Sequence, residues 1–244
     1  MILLTEFFIP QNELRYKEYL HCLEENIKNN LIKKIVLLVS DNSVCPLKSD
    51  KISIVKLKQR PTYTDVFNIC NNNFNGEICI LSNSDIIFND TLKHINNNNI
   101  INKFVALNRW EPQGNNLVQF RHNIGDSQDC WIFKSPVNIQ GGNFHMGTLG
   151  CDNRITYLAY AAGMEVINPS EQIITKHIHG TNFRTVSQDR TKTIGGQHLL
   201  VFGSKDMDTR SLIIERNWNE FVQQMINQQR QMLAQQQQQK IQSK

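Results

Sequence analysis

Continuous apolar runs separated by amphipathic stretches dominate the first ninety residues. Residues 2–9 and 35–39 are almost wholly apolar, as strands covered on both faces are, whereas residues 52–57 alternate. Between the first two runs, Leu14, Tyr19, Leu20, Leu23 and Ile27 recur near helical spacing and predict a helix over 13–29. Arg60-Pro61-Thr62 stops the third strand, and residues 64–72 read as a helix with Asp65 in its first turn. The stretch GEICILSNSDIIFND, residues 76–90, follows; Ile78, Cys79, Ile80 and Leu81 form its buried strand, which ends abruptly in Ser82, Asn83, Ser84 and Asp85. This alternation predicts an α/β fold with a mostly parallel sheet and helices on both faces.

The second half changes character. Residues 103–107 and 130–133 read as strands, and the segments between them carry turn formers and exposed-type aromatics such as Trp110, Glu111, Pro112, Gly125 and Asp126. A helix is predicted over 153–162, with Asp152 as N-cap and Gly163 closing it. Residues 166–169 and 172–175 lead into Lys176-His177-Ile178-His179-Gly180. Residues 181–196 are polar, carry Arg184, Arg190 and Lys192, and show no period, which marks either a functional loop or disorder. An amphipathic helix on Trp218, Phe221, Val222, Met225 and Ile226 then runs into the glutamines of 235–239. The expected organisation is one domain over 1–215 and a C-terminal helix with a Gln-rich tail over 216–244; that helix could pack on its own domain or on a second copy as a homodimer.

Composition narrows the function classes. The chain has 244 residues and a net charge of +4, with no basic stripe interleaved with aromatics, so nucleic acid is disfavoured as a partner. The six cysteines show no C-x-x-C spacing and read as small buried hydrophobes in a reducing compartment. The opening MILLTEFFIP lacks a charged leader and is broken by Glu6, so it reads as a first core strand, and no stretch is long enough to span a bilayer. A cytoplasmic location is expected. Neither G-x-G-x-x-G nor G-x-x-x-x-G-K-[ST] is present, so a phosphate bound by this sheet is expected to be held through a metal.

Three groups carry candidate chemistry. Asn83-x-Asp85 sits at the carboxyl end of a buried strand, where α/β sheets bind ligands, and offers oxygen to a hard cation; the commoner role of Asx residues is to cap a turn. His177 and His179 are two apart, so on a strand both rings project from one face, and imidazole readily completes a carboxylate metal site. Asp152 follows a glycine-rich approach and can cap its helix, act as a general base, or do both.

The order of these parts resembles the GT-A class of nucleotide-sugar glycosyltransferases, in particular small stand-alone family-2-like enzymes of bacteria and giant viruses. The matching residues are Arg60-Pro61-Thr62-Tyr63, Asn83-Ser84-Asp85 in place of Asp-x-Asp, the run from Ser127 through Asp129 and Trp131 to Phe133, Gly150-Cys151-Asp152-Asn153-Arg154, and His177-Ile178-His179. The resemblance implies that Asp85 binds Mn²⁺ or Mg²⁺ on the donor diphosphate, with His177 or His179 completing the site. It implies that Thr5, Arg60 and Tyr63 hold the nucleotide, that Asn83, Ser84, Arg154 and Arg184 serve substrate binding, and that Asp129 and Trp131 face the sugars. Asp152 takes the place of the base of inverting enzymes. The implied partners are a nucleotide-sugar donor, with UDP the commonest nucleotide, and a glycan or glycoprotein acceptor. The asparagine clusters at 71–73 and 96–99 read as the codon bias of an AT-rich genome, which points to a protist or a virus of one, and so to host cytoplasm if viral. Asn83 departs from the family pattern and favours one alternative, a degenerate domain that binds a glycan or a partner without catalysis. A second, a sugar-phosphate nucleotidyltransferase, shares the fold but usually carries a basic, glycine-rich loop where this chain reads Ile9-Pro10-Gln11-Asn12.

Overall fold

The computed structural model describes residues 1–114, 116–119, 123–180, 193–224, 227 and 231–232. Its elements in chain order are β1 (Ile2–Glu6), α1 (Glu13–Lys28), β2 (Lys34–Val39), β3 (Ile52–Lys56), α2 (Tyr63–Asn73), β4 (Ile78–Ser82) and β5 (Ile86–Phe88). A short 3₁₀ turn, Asp90–His94, leads to β6 (Lys103–Leu107), β7 (Trp110–Gln113), β8 (Asn116–Gln119) and β9 (Cys130–Lys134). The chain continues with α3 (Cys151–Ala161), β10 (Glu165–Ile167), β11 (Thr175–His177), β12 (Gln197–Val201) and β13 (Ile213–Asn217), and residues 218–224 are helical.

Among the described residues the central sheet has the order β10-β6-β9-β4-β1-β2-β3. All its neighbours pair in parallel except β9, which runs antiparallel to β4 and β6. The fold is α/β with a mainly parallel sheet and helices on both faces, as the patterning predicts. The continuous apolar runs have a direct cause: alternate side chains enter two separate cores. Leu4, Val36, Leu38, Cys79 and Leu81 pack with α2, α3 and β12, whereas Leu3, Ile35, Leu37, Ile78 and Ile80 pack with Leu23 of α1 and with Ile86 and Phe88 of β5.

Several local expectations change. The buried side of α1 is Arg15, Tyr19, Cys22, Leu23 and Asn26, while Leu14 is 61% exposed. The N-cap of α3 is Gly150, with φ of 79° and no side-chain cap, and Asp152 falls in the first turn instead. Glycine is required there, because a Cβ would lie 2.8 Å from His198 Cε1 and 2.9 Å from Thr193 Cγ2. The turn-forming segment after β6 contains the hairpin β7–β8, whose half-exposed strands lack apolar alternation. The β12–β13 hairpin also had no reading in the sequence, and the expected boundary at 215/216 falls inside β13.

Candidate functional site

The parallel strands β1, β2 and β4 end on one edge of the sheet, where helices leave room for a ligand. Beyond Ser82 the chain turns through Asn83, Ser84 and Asp85 into β5. Asp129 reaches the same edge from the opposite direction, because β9 is antiparallel and places Cys130 beside Ser82. A second sheet, of order β5-β11-β7-β8, sets His177 opposite Ile86, and Ile178 N–H donates to Asp85 O at 2.9 Å. Residues distant in sequence thus meet around Asp85.

Asp85 is 7% exposed, and its Oδ2 receives both Arg15 Nη2, in a close ion pair, and His177 Nε2 at 3.0 Å. Burial opposes ionisation of this carboxyl, but the hydrogen bond and charge of His177 and the charge of Arg15 hold it down to about 2. The His179 ring stacks on His177 with centroids 5.2 Å apart. One ligand atom from each of Asp85, His177 and His179 lies within 4.8 Å of the others. Among the described residues, the buried Asp85 Oδ1 has no hydrogen-bond partner, as expected of an oxygen kept for a cation. His177 Nδ1 lies 3.5 Å from Glu111 Oε1, the outer-carboxylate arrangement that orients a metal-binding imidazole. The donor set of one oxygen and two nitrogens therefore fits a divalent ion such as Mn²⁺.

Asp129 is the hub of the neighbouring group. Its Oδ1 accepts from Asn83 Nδ2 at 2.9 Å, and both its oxygens lie 3.1 Å from Arg109 Nη1. Arg109 Nε donates to Glu111 Oε1 at 2.9 Å, so Glu18, Arg15, Asp85, His177, Glu111, Arg109 and Asp129 form one charged chain along the edge. Asp152 faces this hub from α3. Burial, then the charge of Asp129, push its carboxyl up to about 7, against the pull of the Cys151 thiol and Arg109. A carboxyl tuned there is half ionised at neutral pH and suits proton abstraction.

The third group lies beside β1. Thr5 Oγ1 is 3.4 Å from Ser84 Oγ, which donates to Glu6 O at 2.6 Å. A cavity of about 20 Å³, room for a single water, is lined by Thr5, Glu6, Asn83 and Ser84. Arg60 closes this side by a bidentate pair with Glu6 (Nε–Oε1 2.9 Å, Nη2–Oε2 2.9 Å) and donates to Met146 O at 2.9 Å.

Thr5, Asn83, Ser84, Asp85, Asp129, His177 and His179 thus share the edge, with Asp152 against Asp129. Two expected substrate contacts are corrected. Tyr63 and Trp131 are fully buried and pack edge to face, with ring centroids 5.3 Å apart, so neither presents a surface to nucleotide or sugar. Trp131 follows Asp129 by two residues but lies inside β9, whose side chains pack in the two cores. Arg154 is turned to β12, where Nη1 donates to Gln197 O at 2.9 Å, and it lies over the Tyr157 ring. Arg184 lies outside the described residues. Sequence reasoning missed Arg15, Glu18, Arg109 and Glu111. A signal existed for Arg15 alone, a charged residue in register with Tyr19, Cys22 and Asn26 on the buried side of α1.

No family model and no curated protein matches the chain. Among solved structures it is similar to the mannosyltransferase PcManGT from Pyrobaculum calidifontis in complex with GDP-Man and Mn²⁺, at 12% identity over 75% of this chain and 58% of that one, with a TM-score of 0.45. It is similar to the inositol-1-phosphate CTP transferase from T. maritima at 12% identity over 75% of this chain and 91% of that one, TM-score 0.45. S. aureus TarS 1-349 overlaps at 12% identity over 78% of this chain and 58% of that one, TM-score 0.43. Among the described residues no helix is long and apolar enough to cross a membrane.

Proposed function

We propose that the chain is a GT-A-class glycosyltransferase that moves a sugar from a nucleoside diphosphate sugar to an acceptor hydroxyl of a glycan or glycoprotein. The observation that supports this reading is the closeness, at one end of the sheet, of Asp85, His177 and His179, a cluster that could hold a cation, to a separate carboxyl raised to about 7. A neutral hydroxyl is a poor nucleophile and needs a base. A sugar phosphate is already ionised near neutral pH, since the second ionisation of a phosphate monoester lies at about 6, so nucleotidyl transfer has no such need. The segment after β1 also reads Ile9-Pro10-Gln11-Asn12, where nucleotidyltransferases usually carry a basic, glycine-rich loop.

The roles follow from placement. Asp152 accepts the acceptor's hydroxyl proton as its oxygen bonds to the anomeric carbon and the bond to the donor diphosphate breaks, with inversion at that carbon. Asp129, held by Asn83 and Arg109, keeps the Asp152 carboxyl basic enough for this task. Thr5 and Ser84 line the adjoining donor side, with Glu6 fixing Arg60 beside them. Asp85, His177 and His179 would hold the divalent ion, whose chemistry is to neutralise charge on the departing diphosphate.

The test is a melting-temperature titration with nucleoside diphosphates and nucleotide sugars, UDP forms first, each with and without Mn²⁺. Ligands that bind only the folded state raise the melting temperature by mass action. Stabilisation that needs nucleotide and Mn²⁺ together, and disappears in Asp85→Ala, is the expected result. Absence of a shift with every nucleotide would refute the proposal.

A further inference from the structure

One arginine of α1 spans both halves of the cation-binding group. Arg15 is 5% exposed. Its Nη2 pairs with Asp85 ahead of β5, and its Nη1 donates to Ile178 O behind β11 at 3.2 Å and to Glu18 Oε2 at 2.8 Å. Glu18 Oε1 in turn accepts from Gly180 N–H at 2.7 Å. Arg15 Nε and Asp85 Oδ1 are both buried and have no hydrogen-bond partner among the described residues.

A guanidinium is charged at every accessible pH, so Asp85 already faces a counter-charge, which Glu18 shares. A divalent ion entering among Asp85, His177 and His179 therefore meets a fixed positive charge at the same carboxylate. In a site withdrawn from water that repulsion is far stronger than at a surface. It is offset when additional negative charge arrives with the ion, and a diphosphate brings such charge.

We infer that Arg15 is a resident counter-cation of Asp85 that keeps the affinity for a free divalent ion low, so that the ion and a nucleoside diphosphate bind together. The inference rests on the reading of Asp85, His177 and His179 as a metal centre. It makes Arg15 a positioning residue with an electrostatic function, and the two aspects predict opposite results. If Arg15 were only a brace, its removal would loosen Asp85 and weaken ion binding. As a counter-cation, its removal strengthens binding of the ion alone.

The experiment measures free Mn²⁺ by electron paramagnetic resonance in titrations of the full chain, with and without UDP or GDP. Wild-type protein binds Mn²⁺ weakly alone and at least about tenfold more tightly with nucleotide. Arg15→Gln binds Mn²⁺ alone about tenfold more tightly than wild type and loses most of the nucleotide dependence. Arg15→Lys keeps the charge and the wild-type pattern. Glu18→Gln removes a negative charge that shares Arg15, and weakens binding of Mn²⁺ alone; it carries the test if Arg15→Gln does not fold. Unchanged or weaker Mn²⁺ binding in Arg15→Gln, or unchanged binding in Glu18→Gln, overturns the inference while leaving the metal centre in place. Wild-type protein that binds no Mn²⁺ with either nucleotide overturns the metal centre itself, and the inference with it.

Discussion

Asn83 donates from Nδ2 to Oδ1 of Asp129 at 2.9 Å, and its backbone N–H donates to Asp129 O at 3.0 Å. The amide at residue 83 thus serves Asp129 as a hydrogen-bond donor. Asp129 needs a donor at that position, and a carboxylate at residue 83 would face it with a like charge.

An aspartate at residue 83 is therefore expected to harm the protein. Asn83→Asp should destabilise by about 1–3 kcal/mol once both carboxyls ionise, because one donor is lost and one charge repulsion added. The loss should grow as pH rises, so melting temperatures compared at pH 4 and pH 8 check it. Equal melting temperatures for variant and wild type at pH 8 would refute the account.

Asp152 should be a base that costs stability. Its carboxyl sits near 7 in the folded chain, above the ordinary value of about 3.9. The stability it contributes is complete below about pH 3.9 and is lost as pH rises through 7. Asp152→Asn is thus expected to stabilise the fold at pH 8 by an amount on the order of 1–3 kcal/mol, read as a higher melting temperature, with the gain shrinking toward pH 4. The same variant should lose about 10²–10⁴-fold in transfer while donor affinity stays intact. Equal loss of donor binding would assign Asp152 a structural role.

The pH–rate profile reports the neighbour. Wild-type kcat/KM should rise with pH along a limb near 7 as Asp152 ionises. Asp129→Asn removes the charge that, after burial, does most to raise that carboxyl, so the limb should move to lower pH. A limb that stays in place would show that burial alone sets it.

Trp131 separates packing from recognition. It is fully buried against Tyr63, so Trp131→Ala should cost about 3–5 kcal/mol of stability. Trp131→Phe, milder in volume, should leave donor affinity unchanged when measured by titration calorimetry. Selective loss of sugar affinity in the Phe variant would restore the surface role that its burial argues against.

Much of the scaffold was legible because the sheet is buried on both faces. A strand such as β4 must be apolar at every position to feed two cores, and that signal is local. The polar residues that end it, Asn83 to Asp85, were legible for the same reason, since an abrupt stop in a buried run marks a place where polar partners are met. The pair His177 and His179 stood out by spacing. The β7–β8 hairpin did not, because its exposed strands carry no apolar period, although it supplies Glu111 to the site.

The sequence by itself determined the α/β class, the strand ends that carry chemistry, and the candidates Asp85, Asp152, His177 and His179. Only the tertiary structure decided what each one meets. Arg15 reaches Asp85 across 70 positions, His177 reaches it across 92, and Arg109 reaches Asp129 across 20. Hydrophobic periodicity reports which way a side chain points relative to its own element, whereas the charge and basicity of a site depend on which elements the sheet order sets side by side. That order placed Trp131 and Tyr63 in the core, turned Arg154 toward β12, and put a fixed cation against Asp85.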